Sequence, residues 1–354
     1  MLLLHFNNEI FLTLPAISFL EPIVANGGFG VDLFFLLSGF ILSHQYLDRL
    51  GEKFEVRAFL TFIRLRIARV YPVHFVMLNV SLLLLIAAGA LGVSINADSA
   101  TRNPASYVQN LFLVQAWAGQ PYSWNGVAWS VSAEWFAYLL FPLFALVVFR
   151  ARSTWHLAVA LAAVVCVAVV FGATPREGSE SAGPDFALAR ISLAFAIGCI
   201  SQRLLPAVRE KWAIGLWSPF AGITIVLVSC YLPVSNSGIL LVGFSLLVTG
   251  LAIGVDPVSK VLAIRPFVYG GEISYSLYMV HAIVFAICRK FFPLSNESTG
   301  LIEGSGYLAL SFLSAFLAAA VTYHFIEKPG RRLIRGTPAS GQSVVPVDRP
   351  LPAV

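Results

Sequence analysis

Charge is what this sequence has least of. Only 12% of its 354 residues are Asp, Glu, Lys or Arg, and 58% are hydrophobic. Soluble domains carry about 25% charged and about 45–50% apolar residues, so the composition excludes a soluble globular chain. A mean hydropathy of +0.81 agrees. Cysteine is also scarce. Cys166, Cys199, Cys230 and Cys288 lie inside or at the ends of apolar runs, with no CxxC or Cys/His grouping. That pattern argues against a disulfide framework or a bound metal and leaves small packing residues. No basic segment precedes the first apolar run, so a cleavable signal peptide is not indicated. No internal repeat is visible, which withholds support from the inverted-repeat architecture of many transporters. A net charge of +5 and a pI near 9.1 fit basic cytoplasmic loops rather than nucleic-acid binding.

What the chain has in abundance is long apolar runs. Ten of them, over 1–21, 29–47, 72–93, 127–149, 155–171, 186–200, 213–232, 238–254, 268–288 and 306–326, predict an all-α, polytopic membrane bundle. Numbering the loops in order puts 18 of the Lys and Arg residues on one side and four (Arg102, Arg176, Arg289, Lys290) on the other. Arg190 falls within a span. The positive-inside rule makes the richer side cytoplasmic and places both termini there. Residues 1–335 read as one membrane domain, and 336–354, rich in Pro, Gly and Ser, as a disordered cytoplasmic tail.

Polar residues inside such spans are expensive: a carboxylate at the bilayer centre costs about 2.5–3.5 kcal/mol on insertion scales. Glu134 is one, in Trp129-Ser-Val-Ser-Ala-Glu134-Trp-Phe-Ala-Tyr138. Ser130, Glu134 and Tyr138 recur every fourth residue and share one helix face, a polar stripe suited to a bundle interior. His5 stands in the first run with Glu9 one turn later, where it is either a hydrogen-bonded packing residue or a base suited to near-neutral pH. Glu9 is placed to orient it. Arg64, Arg66 and Arg69 precede Tyr71-Pro72, with Pro72 suited to a first helical turn. Arg66 and Arg69, three apart, suit bidentate phosphate recognition, and basic anchoring alone is the alternative.

Two further segments carry polar groups. Gly27-Gly28-Phe-Gly30 opens the second span and makes no dinucleotide fingerprint, because no strand precedes it. Beyond it, Ser38-Gly39 forms a small-residue notch for another helix or a ligand, and Asp32 suits a helix cap. In the ninth span Ser274, Tyr278 and His281 fall on one face, expected to look inward. Hydrogen bonding within the fold is the role expected of Ser274 and Tyr275. His44, His74, His156 and His324 sit near span ends, where a wet interfacial histidine is unremarkable.

Together these segments resemble the membrane acyltransferase 3 family, which O-acylates carbohydrates of bacterial envelopes. The residues that carry the resemblance are Phe34-Phe35-Leu-Leu-Ser38-Gly39, Arg66-Ile-Ala-Arg69 with Tyr71-Pro72, and Trp129-Ser130-Val-Ser132-Ala-Glu134 with Tyr138. Ser274-Tyr275-Ser276-Leu-Tyr278 with His281, and Tyr323-His-Phe-Ile-Glu327-Lys328-Pro329, complete it in the family's order. The family has a basic residue about ten positions ahead of the histidine matched by His5. Only four residues precede His5 here, so the first helix is expected to be truncated at its N-terminal end, with a true start upstream. No hydrolase-like domain follows the last span, so the stand-alone form is implied.

The resemblance implies an acyl-CoA donor, acetyl-CoA in the simplest case, and a glycan or lipid-linked glycan acceptor at a bacterial inner membrane. No permanently bound cofactor, metal or nucleic acid is implied. His5 is then expected as general base and Glu134 as its partner or that of an acceptor hydroxyl. Arg66 and Arg69 are expected to hold the donor's phosphates, with Ser38, Ser130, Tyr138 and His281 in substrate binding. Direct transfer in one water-poor cavity is favoured over an acyl-enzyme at Ser38, beside which no base is identifiable. A lipid-linked glycan flippase, its pathway lined by the same stripe, is the other reading.

Overall fold

A computed structural model of the chain describes residues 1–92, 101–117, 122–151, 153–173, 186–232, 236–292 and 300–336. Among these there is no strand. The α-helices in chain order are α1 (Leu2–His5), α2 (Asn7–Thr13), α3 (Glu21–Ala25), α4 (Gly30–Gly51), α5 (Val56–Ala90), α6 (Pro104–Leu111) and α7 (Trp129–Arg150). They continue with α8 (Thr154–Ala173), α9 (Ala187–Arg209), α10 (Trp212–Tyr231), α11 (Ser237–Ile253), α12 (Pro257–Leu262), α13 (Arg265–Phe291), α14 (Leu301–Thr322) and α15 (Lys328–Arg335). Eight helical stretches among the described residues are long and apolar enough to cross a membrane, and α11 is a shorter apolar helix. The chain is an all-α, multi-pass membrane protein.

Three expectations need correction. The run 1–21 is not one helix. It breaks at Phe6, and again at Leu14, whose φ of −124° and ψ of 62° are non-helical. Pro15 follows, and a residue before proline is pushed away from helical backbone while the proline itself lacks an N–H. Pro72 does not open a span either. It lies inside α5, which begins at Val56, so Arg64, Arg66 and Arg69 are helical. Gly330 leaves room for the Pro72 ring, since a Cβ there would come within 2.6 Å of it. Third, α6 occupies a stretch read as loop. Asn103 caps it reciprocally with Ser106, and Pro104 takes the first turn. The tail over 337–354 lies outside the described residues.

Contacts divide the chain into two compact units. One comprises Met1–Gly27, Arg64–Trp135 and Tyr269–Gly336; the other contains Gly28–Ile63 and Phe136–Val268. In the second unit α4 crosses α9 at glycines. A Cβ on Gly39 would overlap the Phe195 carbonyl, and one on Gly198 that of Leu36. Lipid supplies no hydrophobic drive between helices, so such close backbone approach is what holds them. The same pair is tied by a buried, two-pronged ion pair, Arg190 Nη2 to Asp32 Oδ2 at 2.7 Å and Nε to Oδ1 at 3.2 Å. Asp32 thus neutralises a guanidinium, and the sequence reading had assigned no partner to Arg190. Gly222 and Gly243 bring α10 and α11 together in the same way.

The first unit is built differently. An aromatic cluster centred on Phe6 and Phe285, whose rings meet edge-on at 4.0 Å, packs α1 and α2 against α13 and α14 with Tyr307 and Phe312. The same unit holds a web of buried polar side chains. Ser132 Oγ accepts from the Ala116 amide (3.1 Å) and donates to the Leu113 carbonyl (2.8 Å). The Trp124 indole donates to Ser106 Oγ (3.0 Å), and the Asn110 amide to Ser123 Oγ (2.8 Å). Leu113 and Trp124 both have φ of 58°, a left-handed backbone that side-chain-bearing residues rarely adopt. Buried backbone outside a regular helix needs these partners, and the web supplies them.

Candidate active site

Glu134 is 2% exposed and Ser130 is equally buried, so the polar stripe does face inward in the first unit. Ser130 Oγ shares a hydrogen bond of 2.8 Å with the Tyr278 hydroxyl, which donates to the Val127 carbonyl at 2.9 Å. Tyr278 is therefore fixed from α7 as well as from its own helix, α13. One turn along α13, His281 is wholly buried. Its Nδ1 lies 2.7 Å from the Tyr278 carbonyl. A carbonyl only accepts, so Nδ1 carries the proton and Nε2 is left with a free lone pair.

That Nε2 has no hydrogen-bond partner, and neither does the buried Nε2 of His5. The two rings stand 5.1 Å apart, centroid to centroid. A buried polar atom left unsatisfied costs about 1–3 kcal/mol, so two on neighbouring rings call for an explanation. The pairing of these histidines, 276 positions apart, was not readable from the sequence, although both were candidates.

The expected partners of His5 are placed otherwise. Glu9 accepts from Arg289 Nε at 2.6 Å and does not reach the imidazole. Glu134 makes no bond to His5 Nε2. The Tyr275 hydroxyl, on the inward face of α13, donates to the Val70 carbonyl at 2.6 Å. Ser274 is exposed, bonded to the Gly271 carbonyl, so it does not share the inward face of Tyr278 and His281. The inward serine is Ser276. His74, expected at a wet interface, is 1% exposed and bonds the Asn110 carbonyl at 2.7 Å.

A second cluster surrounds Glu327. This carboxylate is fully buried in a π turn, Tyr323–Glu327, between α14 and α15. Its Oε1 accepts from Arg69 Nη1 at 2.9 Å, its Oε2 from Ser276 Oγ at 2.7 Å, and Arg331 lies 3.7 Å away. Arg69 also lies over the Tyr275 ring, 5.8 Å from its centroid. Arg69 is thus half-buried and oriented, with one nitrogen committed to Glu327. Arg64 Nε donates to the Ile334 carbonyl, which brings α15, with Arg331, Arg332 and Arg335, alongside the basic end of α5. The signal for Glu327 was present in the sequence: an acid at the end of an apolar run, 258 residues from Arg69.

Arg66 is half-buried in the same stretch of α5. Ser38 and Tyr138 belong to the second unit. There Ser38 adjoins the Gly39 crossing, and Tyr138 is buried edge-on to Phe62 at 6.3 Å. The substrate contacts expected of these two rest on resemblance alone.

Residues 1–324 match the model of the acyltransferase 3 family, described as an acyltransferase domain. The chain belongs to the acyltransferase 3 family. This acyltransferase is similar to acyltransferase MdmB of Streptomyces mycarofaciens, 28% identical over 337 residues that cover 87% of this chain and 82% of that one. It is also similar to O-acetyltransferase OatA of Staphylococcus aureus strain NCTC 8325, 27% identical over 337 residues, 87% of this chain and 53% of OatA. The acyltransferase therefore spans about half the length of OatA. No solved structure matches it. Family and relatives together make the protein an O-acyltransferase of the membrane-embedded kind.

Proposed function

We propose that the acyltransferase moves an acyl group, acetyl in the simplest case, from acyl-CoA to a carbohydrate hydroxyl of an envelope or secreted glycan. It works in the bacterial inner membrane with both termini cytoplasmic, as the loop charges argue. The observation that carries this reading is the pair of buried, unpartnered imidazole nitrogens of His5 and His281. A hydroxyl has far too high a pKa to attack a thioester unaided, and a positioned imidazole contributes about 10²–10⁴-fold by taking its proton.

In this reading the acceptor hydroxyl gives its proton to His5 Nε2 as its oxygen attacks the thioester carbonyl. The carbon–sulfur bond breaks, and the departing thiolate takes the proton from His5. His281 Nε2, able only to accept, seats a hydroxyl of the acceptor, with Tyr278 and Ser130 bracing it. Glu134 acts as a buried acceptor toward a second donor group of the glycan. Arg66 and Arg69 hold the donor's phosphates. Glu327 keeps Arg69 in place through Nη1, and the remaining positive charge, with Arg331 and Arg335 beside it, suits a polyanion.

The test is transfer from radiolabelled acetyl-CoA to the endogenous acceptor in membranes carrying the protein. Wild type labels a glycan, whereas His5→Ala and Glu134→Gln lose at least about 100-fold. Near-normal labelling by both variants would sink the assignment. A protein that only moves lipid-linked glycans would give no labelling at all.

A further inference from the structure

His5 is the last residue of a four-residue helix, and Phe6 after it is non-helical, with φ of −116° and ψ of 16°. The carbonyls at such an end have no partner within their helix. His5 Nε2 makes no hydrogen bond, so nothing on that nitrogen fixes the ring. Beyond the bond from the His5 amide to the Met1 carbonyl, what holds the residue comes from α13. Arg289 donates from Nη2 to the His5 carbonyl and from Nε to Glu9 Oε1 at 2.6 Å. Its guanidinium also lies over the Phe6 ring, 5.2 Å from the centroid, a favourable cation–π placement. One side chain therefore grips residues 5, 6 and 9.

The spacing along α13 completes the picture. His281, Phe285 and Arg289 are four apart, neighbours along one side of the helix. In order, they meet the His5 ring at 5.1 Å, the Phe6 ring at 4.0 Å, and the His5 carbonyl with Glu9. We propose that Arg289 is the positioning residue of His5: it clamps the His5 backbone so that the imidazole stands beside His281. Glu9 serves the clamp by orienting Arg289 and does not act on the imidazole. This rests on the reading of His5 as the base.

The experiment compares Arg289→Gln, Arg289→Lys, Glu9→Gln and His5→Ala in the full-length protein, using radiolabelled acetyl-CoA and the endogenous membrane acceptor. A misplacement of about 1 Å at a reacting group can cost about 100-fold. Arg289→Gln is expected to lower kcat about that much, with the KM for acetyl-CoA and the melting temperature unchanged. Arg289→Lys, which keeps one donor to the carbonyl, recovers about a tenth of the wild-type rate. Glu9→Gln loses only a few-fold, because the bond to His5 survives. An Arg289→Gln protein with kcat within twofold of wild type overturns the proposal if His5→Ala is inactive. An active His5→Ala protein overturns instead the reading of His5 on which it rests. Loss in Arg289→Gln that tracks loss of folded protein, with no recovery in Arg289→Lys, also overturns it by reducing Arg289 to a structural role.

Discussion

Two buried polar pairs, one in each unit, differ in how they are satisfied. In the second, Asp32 and Arg190 answer each other through two short bonds between helices already locked by Gly39 and Gly198. In the first, Ser132, Asn110 and Trp124 are bonded into a web, yet the Nε2 atoms of His5 and His281, on neighbouring rings, have no hydrogen-bond partner. The Asp32–Arg190 pair is scaffold between α4 and α9. The open nitrogens of His5 and His281 are, in the proposed reading, the place for chemistry. Burial by itself does not separate the two, since Asp32 and His281 are equally hidden. The state of their partners does.

The sharpest way to break this comparison is to unbalance the scaffold. Asp32→Leu leaves Arg190 buried and uncompensated, and removing one partner of a buried pair costs about 3–5 kcal/mol. We expect a large loss of folded protein on size-exclusion in detergent, and recovery of most of it in Asp32→Leu with Arg190→Leu. Failure of the double variant to recover would mean that the pair does more than hold α4 to α9. The converse holds at the site. His281→Asn, whose Nδ2 can keep a donor while the imidazole Nε2 is lost, should lower acyl transfer about 100-fold with a smaller change in thermal stability than Asp32→Leu.

Much of the comparison was legible in the sequence, for reasons that differ by region. The helices of the second unit announce themselves as long apolar runs, because composition alone decides a span. Arg66, Arg69, Glu134, His5 and His281 stood out because charge and imidazole are costly in that setting. What stayed hidden was pairing. Nothing local tells Asp32 of Arg190, or Arg69 of Glu327, across 158 and 258 residues. The breaks at Phe6 and Leu14 were hidden too, since a run of hydrophobic residues reads the same whether straight or broken. Here Pro15 was the clue. The web around α6 is made of Ser, Asn, Gln and Trp, residues that read as ordinary loop until their partners are known.

Smaller effects sharpen the account. Ser132→Ala would strand the Ala116 amide and the Leu113 carbonyl, costing about 1–3 kcal/mol. That loss should appear in thermal melts and leave the KM for the donor unchanged. A donor KM that moved would give Ser132 a part in binding. Arg69→Ala combined with Glu327→Gln, which leaves no buried carboxylate uncompensated, should raise the KM for acetyl-CoA about tenfold, the effect of losing roughly 1.4 kcal/mol of binding, with the acceptor KM unchanged. Glu327→Gln should show a milder form of the same change, because it loosens Arg69 without removing it. The opposite pattern, an acceptor KM that rises alone, would move the acceptor to the arginines.

The central claim is that the open nitrogens of the first unit, and not the filled ion pair of the second, carry acyl transfer. It is tested most directly by steady-state transfer from radiolabelled acetyl-CoA in membranes holding equal amounts of wild type and His5→Ala, each checked for folding. A loss of about 10²–10⁴-fold in kcat is expected for His5→Ala, with folded protein and donor KM unchanged. A His5→Ala protein that transfers acetyl at the wild-type rate would contradict it.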